Sequence, residues 1–139
     1  MTTATDRPPF PAPVPNEENQ PFWDALTRGE LLLQACASCG AFQHPPRPMC
    51  GDCGSMERTW KQVSGRGTVY SFVVTNQAIH PAYEGFTPFA TVLVELDEGP
   101  RMTSNLTDVA ADDIVIGMPV QVVFERLSDE ITLPLFRRT

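Results

Sequence analysis

The sequence predicts a mainly β protein: a short N-terminal helix, a cysteine-stapled ribbon, and then a small five-stranded barrel. Three observations carry that expectation. All four cysteines fall as two pairs, Cys36-x-x-Cys39 and Cys50-x-x-Cys53. From Gly65 onward, short runs rich in β-branched and aromatic residues alternate with glycine, proline and aspartate turns, the pattern of successive short strands. At 139 residues the chain has room for one compact core, and a metal staple adds materially to a domain of that size.

Taken in order, residues 1–18 form a proline-rich arm, with Pro8, Pro9, Pro11, Pro13 and Pro15. Such a segment is extended or disordered, and Phe10 is its apolar anchor should it lie across a partner. Asn19-Gln20-Pro21 reads as a helix start, with proline in the first turn. Phe22, Trp23, Ala25 and Leu26 lie on that helix, and Gly29 ends it. A helix this short is marginal alone, so its aromatic residues must pack on something. The domain's own core and a platform for another subunit both remain open.

Leu31, Leu32 and Leu33 form a β-type run into the first cysteine pair. A Cys-x-x-Cys knuckle turns both thiolates into one concavity, and a glycine follows each pair, at Gly40 and Gly54. Two facing knuckles give the tetrahedral sulfur site of one structural Zn²⁺, with Cys36, Cys39, Cys50 and Cys53 as its ligands. Two disulfides or a redox motif are the rival readings. A redox pair normally occurs once and opens a helix, and disulfides need an oxidising compartment. His44 is read as a surface histidine, because four cysteines already complete a tetrahedron. Pro45, Pro46 and Pro48 forbid a helix between the knuckles and shape an exposed excursion.

The second half supplies the barrel, with strands expected near 67–77, 90–96, 101–106, 120–127 and 131–136. Ala90, Val92, Val94 and Leu96 alternate with Thr91, Leu93 and Glu95, which places the first set on a buried face. Gly65 and Gly67 allow a bend or bulge at the first of these strands. The expected division is residues 1–18 for the arm, 19–62 for helix and ribbon, and 63–139 for the barrel.

The net charge is −7, and it is uneven. Arg28, Arg47, Arg58, Lys61 and Arg66 outnumber three acidic residues around the ribbon, whereas ten acidic residues face four arginines from Gly67 onward. An acidic barrel argues against a nucleic-acid partner, since phosphate contacts need a basic groove. No apolar run reaches transmembrane length, and no signal-peptide core opens the chain. The cytoplasm is the expected location.

These blocks resemble a known family, long catalogued as a domain of unknown function, over about residues 21–136. The resemblance rests on Phe22-Trp23, the two knuckles, and Gly65-Arg66-Gly67-Thr68-Val69-Tyr70-Ser71-Phe72. It continues through Val94 to Pro100, Ser104-Asn105-Leu106, Ile116-Gly117-Met118-Pro119-Val120 and Pro134-Leu135-Phe136. It implies a rubredoxin-like zinc ribbon joined to an oligonucleotide/oligosaccharide-binding (OB) barrel. It also implies a role in acyl-CoA metabolism beside a thiolase-like subunit, as in a retro-aldolase of steroid side-chain degradation. Catalysis there sits on the partner.

The residue inventory agrees with a chain that has no catalytic residues of its own. If the cysteines hold zinc, neither His44 nor His80 has a thiol to activate, and a four-cysteine site has no open position. Glu95 and Asp97, one pleat apart, read as a strand end running into an acidic turn rather than a paired-carboxylate catalyst. For the phosphates of CoA, the available cations are Arg47, Arg58, Lys61 and Arg66. Phe22, Trp23 and His80 are the candidate partner-facing residues, His80 lying in a long loop of the kind where functional residues collect. A single-stranded nucleic-acid-binding ribbon and barrel is the alternative reading.

Overall fold

A computed structural model describes residues 11–139. The expected anchor Phe10 and residues 1–10 of the arm lie outside the described residues. Helix α1 (Gln20–Thr27) leads into a ribbon sheet built from β1 (Leu32–Cys36), β2 (Phe42–Gln43) and β3 (Arg58–Gln62). The barrel sheet follows, from β4 (Arg66–Thr75), β5 (Phe89–Leu96), β6 (Arg101–Ser104), β7 (Pro119–Arg126) and β8 (Thr132–Arg138). The orders are β2-β1-β3 and β6-β5-β4-β7-β8. All strand neighbours run antiparallel.

Local chemistry explains the helix ends. Asn16 and Asn19 exchange side-chain-to-backbone hydrogen bonds of 2.7 and 3.0 Å, which sets the turn before Pro21. At the other end Gly29 takes φ +75°. The Gly29 N–H donates to the Leu26 carbonyl and the Glu30 N–H to that of Ala25, a Schellman closure that glycine permits at low cost. Phe22, Ala25 and Leu26 are buried, and the helix rests on β1, β7 and β8. Leu31 and Leu33 of the ribbon join Val69, Val92, Val94, Val120 and Phe136 of the barrel in one core cluster. The helix thus closes the joint between the two sheets.

The five-stranded sheet curls until its ends meet. Leu106, just past β6, bridges Phe136 of β8 in parallel, and the Ser104 hydroxyl donates to the Pro134 carbonyl at 2.6 Å. Alternation along β5 places Val92, Val94 and Leu96 inside, as the sequence predicts. The bulge falls at Tyr70, between Val69 and Ser71. Gly65 and Gly67 instead permit close approach: a Cβ on Gly67 would lie 2.3 Å from the Glu95 carbonyl oxygen. Gly67→Ala must therefore push β4 off β5, and a loss of about 2 kcal/mol is expected from such overpacking. Urea unfolding of the two proteins measures it. No helix among the described residues is long and apolar enough to cross a membrane.

Candidate metal centre and adjoining surfaces

The two knuckles are built alike. Gly40 N–H donates to the Cys36 carbonyl at 2.9 Å and Gly54 N–H to that of Cys50 at 3.0 Å. Both glycines have positive φ, +79° and +76°. In each knuckle a backbone N–H points at sulfur: Cys39 to Cys36 Sγ and Asp52 to Cys50 Sγ, both at 3.4 Å. The four Sγ atoms all lie within 4.8 Å of one another. Sulfurs face across the knuckles at 3.6 Å, Cys36 to Cys53 and Cys39 to Cys50. A zinc tetrahedron with 2.3 Å bonds has edges of about 3.8 Å, so the donors fit one such ion.

Electrostatics points the same way. The Cys39 N–H holds the Cys36 thiol down to about 6. The Ala41 N–H pulls Cys39 down, but the Cys50 sulfur and burial outweigh it and push that thiol up to about 12. Thiolates this close repel, so the cluster cannot ionise fully without a cation at its centre. With four thiolate ligands the ion would be coordinatively full and structural.

His44 is not a free surface histidine. It is half-buried, its ring 5.2 Å from that of Phe22. Burial pushes its imidazole down to about 4. The unfolded chain binds a proton there near pH 6.5 and the folded chain does not, so stability falls as pH drops between those values. The loss expected from this group is about 2 kcal/mol between pH 7 and pH 5. His44→Gln should remove that component, read as the difference in urea midpoints between the two proteins at each pH.

The four expected cations do not form one cluster. Arg58 turns inward, its Nη2 donating to Gln34 Oε1 at 2.9 Å and Gln43 Oε1 at 2.7 Å. Its Nε and Nη1 are buried with no hydrogen-bond partner among the described residues. Lys61 projects from the opposite face of β3, as alternation requires, and is exposed. Arg47 is exposed, while its backbone N–H donates to Gln34 Oε1 at 2.8 Å. Arg66 lies at the barrel, 3.9 Å from Asp97. Glu95 pairs with Arg101 at 3.0 Å, so the two carboxylates of that strand end have separate partners.

Phe22 is a core residue at 5% exposure, and Trp23 stands edge-on to it, half-buried. With His44, Pro45 and Pro46, Trp23 borders a crevice of about 340 Å³ between ribbon and barrel. His80 is exposed and accepts the Ala82 N–H at 3.1 Å, capping the short 3₁₀ turn Pro81–Tyr83. That turn leads to a groove of about 560 Å³ bordered by Tyr83, Phe86, Phe89, Leu106 and Leu127 and by the polar Asn105 and Glu125. The loop in which functional residues were expected to collect thus supplies Tyr83, Phe86 and Phe89 to its wall.

Comparison with known proteins agrees with the geometry. Residues 23–57 match the rubredoxin-like zinc ribbon domain of ChsH2 and residues 60–125 its C-terminal OB-fold domain. A probable enoyl-CoA hydratase alpha subunit of Thermomonospora curvata is 41% identical over 127 residues, covering 91% of this chain and 39% of that protein. The 3-oxo-4,17-pregnadiene-20-carboxyl-CoA hydratase alpha subunit of Mycobacterium tuberculosis is 40% identical over 104 residues, 74% of this chain and 32% of that one. The chain thus spans well under half the length of these two relatives. Among solved structures, a chain of the Ltp2-ChsH2(DUF35) aldolase superposes with a TM-score of 0.83 at 40% identity, covering 91% of this chain and 98% of that one. The chain belongs to the ChsH2-type DUF35 family, in which a rubredoxin-like zinc ribbon is joined to an OB-fold domain.

Proposed function

We propose that this chain is a non-catalytic, zinc-stapled accessory subunit of a thiolase-like enzyme acting on acyl-CoA, in retro-aldol, aldol or acyl-transfer chemistry. The observation that carries the reading is the likeness to a ChsH2(DUF35) chain of an aldolase, nearly complete over that chain. Two relatives named as CoA hydratase alpha subunits, one of them for a pregnadiene-carboxyl-CoA, support a CoA thioester with a bulky apolar acyl group. The chemistry present here supports the non-catalytic part. His44 packs on Phe22 and His80 caps its own turn, and a metal held by four thiolates has no site for water or a carbonyl.

In this reading Arg47, Lys61 and Arg66 are the exposed cations available to CoA phosphates, and Arg58 is withdrawn into the ribbon. The aromatic-walled groove beside β5 offers apolar surface to the acyl group. The test assays this protein, a thiolase-like protein from the same source, and the mixture, with a β-hydroxyacyl-CoA as substrate. Turnover is expected from the mixture alone. Arg47→Ala should raise KM for the thioester several-fold and leave kcat unchanged, because a phosphate contact remote from the reacting carbon contributes uniform binding. Full turnover by either protein alone overturns the reading.

A further inference from the structure

Strand β4 is paired on both sides for only part of its length. On the β7 side the register runs from Arg66 to Thr68, and backbone hydrogen bonds link Val69 to Gly117 and Met118. The bulge at Tyr70 then turns the strand, as an extra residue does. Beyond it, Ser71 to Thr75 pair with β5, and among the described residues no backbone partner lies on their other side. This leaves a short open edge in the middle of the sheet order.

Apart from the Arg101 guanidinium stacked on the Tyr70 ring at 3.7 Å, the edge lacks the usual protection. Natural proteins blunt such edges with charge or proline. Yet Gly67 to Ile79 holds no Asp, Glu, Lys, Arg or Pro, in a chain of net charge −7. Tyr70 is 45% exposed and Val73 62%. Ile116 and Val115, equally exposed, sit where the pairing with β7 ends. Open backbone groups beside an uncharged β-branched run are what strand addition recognises: main-chain hydrogen bonds bind, and alternate side chains select.

We propose that the edge of β4 from Tyr70 to Thr75 receives an extended segment of the catalytic subunit, which adds a strand to this sheet. The proposal rests on the accessory-subunit reading above and names its contact. The inserted segment carries apolar side chains at alternate positions, set against Val73 on one side of the sheet and Val74 on the other. A partner enzyme fits better than a second copy for two reasons. The matched ChsH2(DUF35) chain comes from an aldolase named with a second component, Ltp2. Two copies of a chain with net charge −7 also repel one another.

The experiment co-expresses this chain with a thiolase-like protein from the same source and follows hydrogen exchange in the free chain and in the complex. Amides at the open edge of Ser71–Thr75 are expected to slow at least tenfold on assembly. Val73→Lys should reduce retention of the partner at least tenfold while zinc content and exchange in β5 stay unchanged. If the partner is retained but the β4 amides exchange alike free and bound, the inference fails and the accessory reading stands. If wild-type protein does not retain the partner, both fail. A concentration-dependent dimer of this chain alone that protects the same amides, and that Val73→Lys abolishes, assigns the edge to a second copy and overturns the proposal.

Discussion

Stripping the metal with a strong chelator, or replacing Cys39 with serine, is expected to unfold the ribbon while most of the barrel survives. The ribbon sheet has three strands, one of only two residues, and its apolar contribution to the core is chiefly Leu31 and Leu33. That is too little to hold β1, β2 and β3 against chain entropy. Zinc held by four thiolates contributes roughly 10–16 kcal/mol in small modules, enough to decide the outcome. Metal analysis should find about one zinc per chain by the four-ligand rule, and Cys39→Ser should lower it. In amide spectra, residues 31–62 should lose dispersion while β4 to β8 keep theirs. Finding two disulfides and no metal would defeat this expectation.

Phe136→Ala should have the largest effect of any single substitution in the barrel. Its side chain is fully buried in the cluster that joins ribbon, helix and barrel. Its N–H donates to the Asn105 carbonyl at 3.0 Å, and its carbonyl accepts the Thr107 N–H at 2.9 Å. Removing the ring leaves a cavity where the curled sheet closes. The expected loss is about 3–5 kcal/mol, a large share of the roughly 5–15 kcal/mol that holds a domain of this size. Phe124→Ala, at a ring 36% exposed, should cost under about 1 kcal/mol. Denaturant unfolding of the zinc-loaded proteins distinguishes them. Equal losses would mean that Phe136 does not close the barrel.

Together the two substitutions separate a metal-held part from a core-held part. Phe22 connects them: it touches His44 of the ribbon excursion and belongs to the shared core. Loss of zinc should therefore loosen the crevice beside Trp23 as well. If CoA meets the cations near the ribbon, metal loss should weaken thioester binding without touching any catalytic group.

Local chemistry was enough to read several features from the sequence. A Cys-x-x-Cys-Gly knuckle closes through its own backbone, so the spacing of Cys36, Cys39, Cys50 and Cys53 determined the metal site. Gly29 stops the helix through its own bond to Leu26 and that of Glu30 to Ala25, again a local event. The alternation of Ala90 to Leu96 determined which face of β5 is buried, because strand periodicity is intrinsic. Other features depended on what lies opposite in space. The two-residue β2 has no propensity signal of its own and exists because the first knuckle folds Phe42 and Gln43 back onto Ala35 and Gln34. Arg58 looked like a surface cation until Gln34 and Gln43 drew its guanidinium inward. His44 looked exposed until α1 brought Phe22 against it. Phe22 and Trp23 are adjacent aromatics, yet one entered the core and the other lines a crevice, as the packing of α1 on β1, β7 and β8 decides. The bulge at Tyr70 could not be placed from Gly65 and Gly67, since it arises where β4 leaves one neighbour and keeps the other. The sequence by itself determined the helix end, the metal ligands and the buried face of β5, whose causes lie within a few residues; only the tertiary structure decided β2, the bulge at Tyr70 and how Arg58, His44 and Trp23 are placed, because those outcomes belong to the partner across the gap.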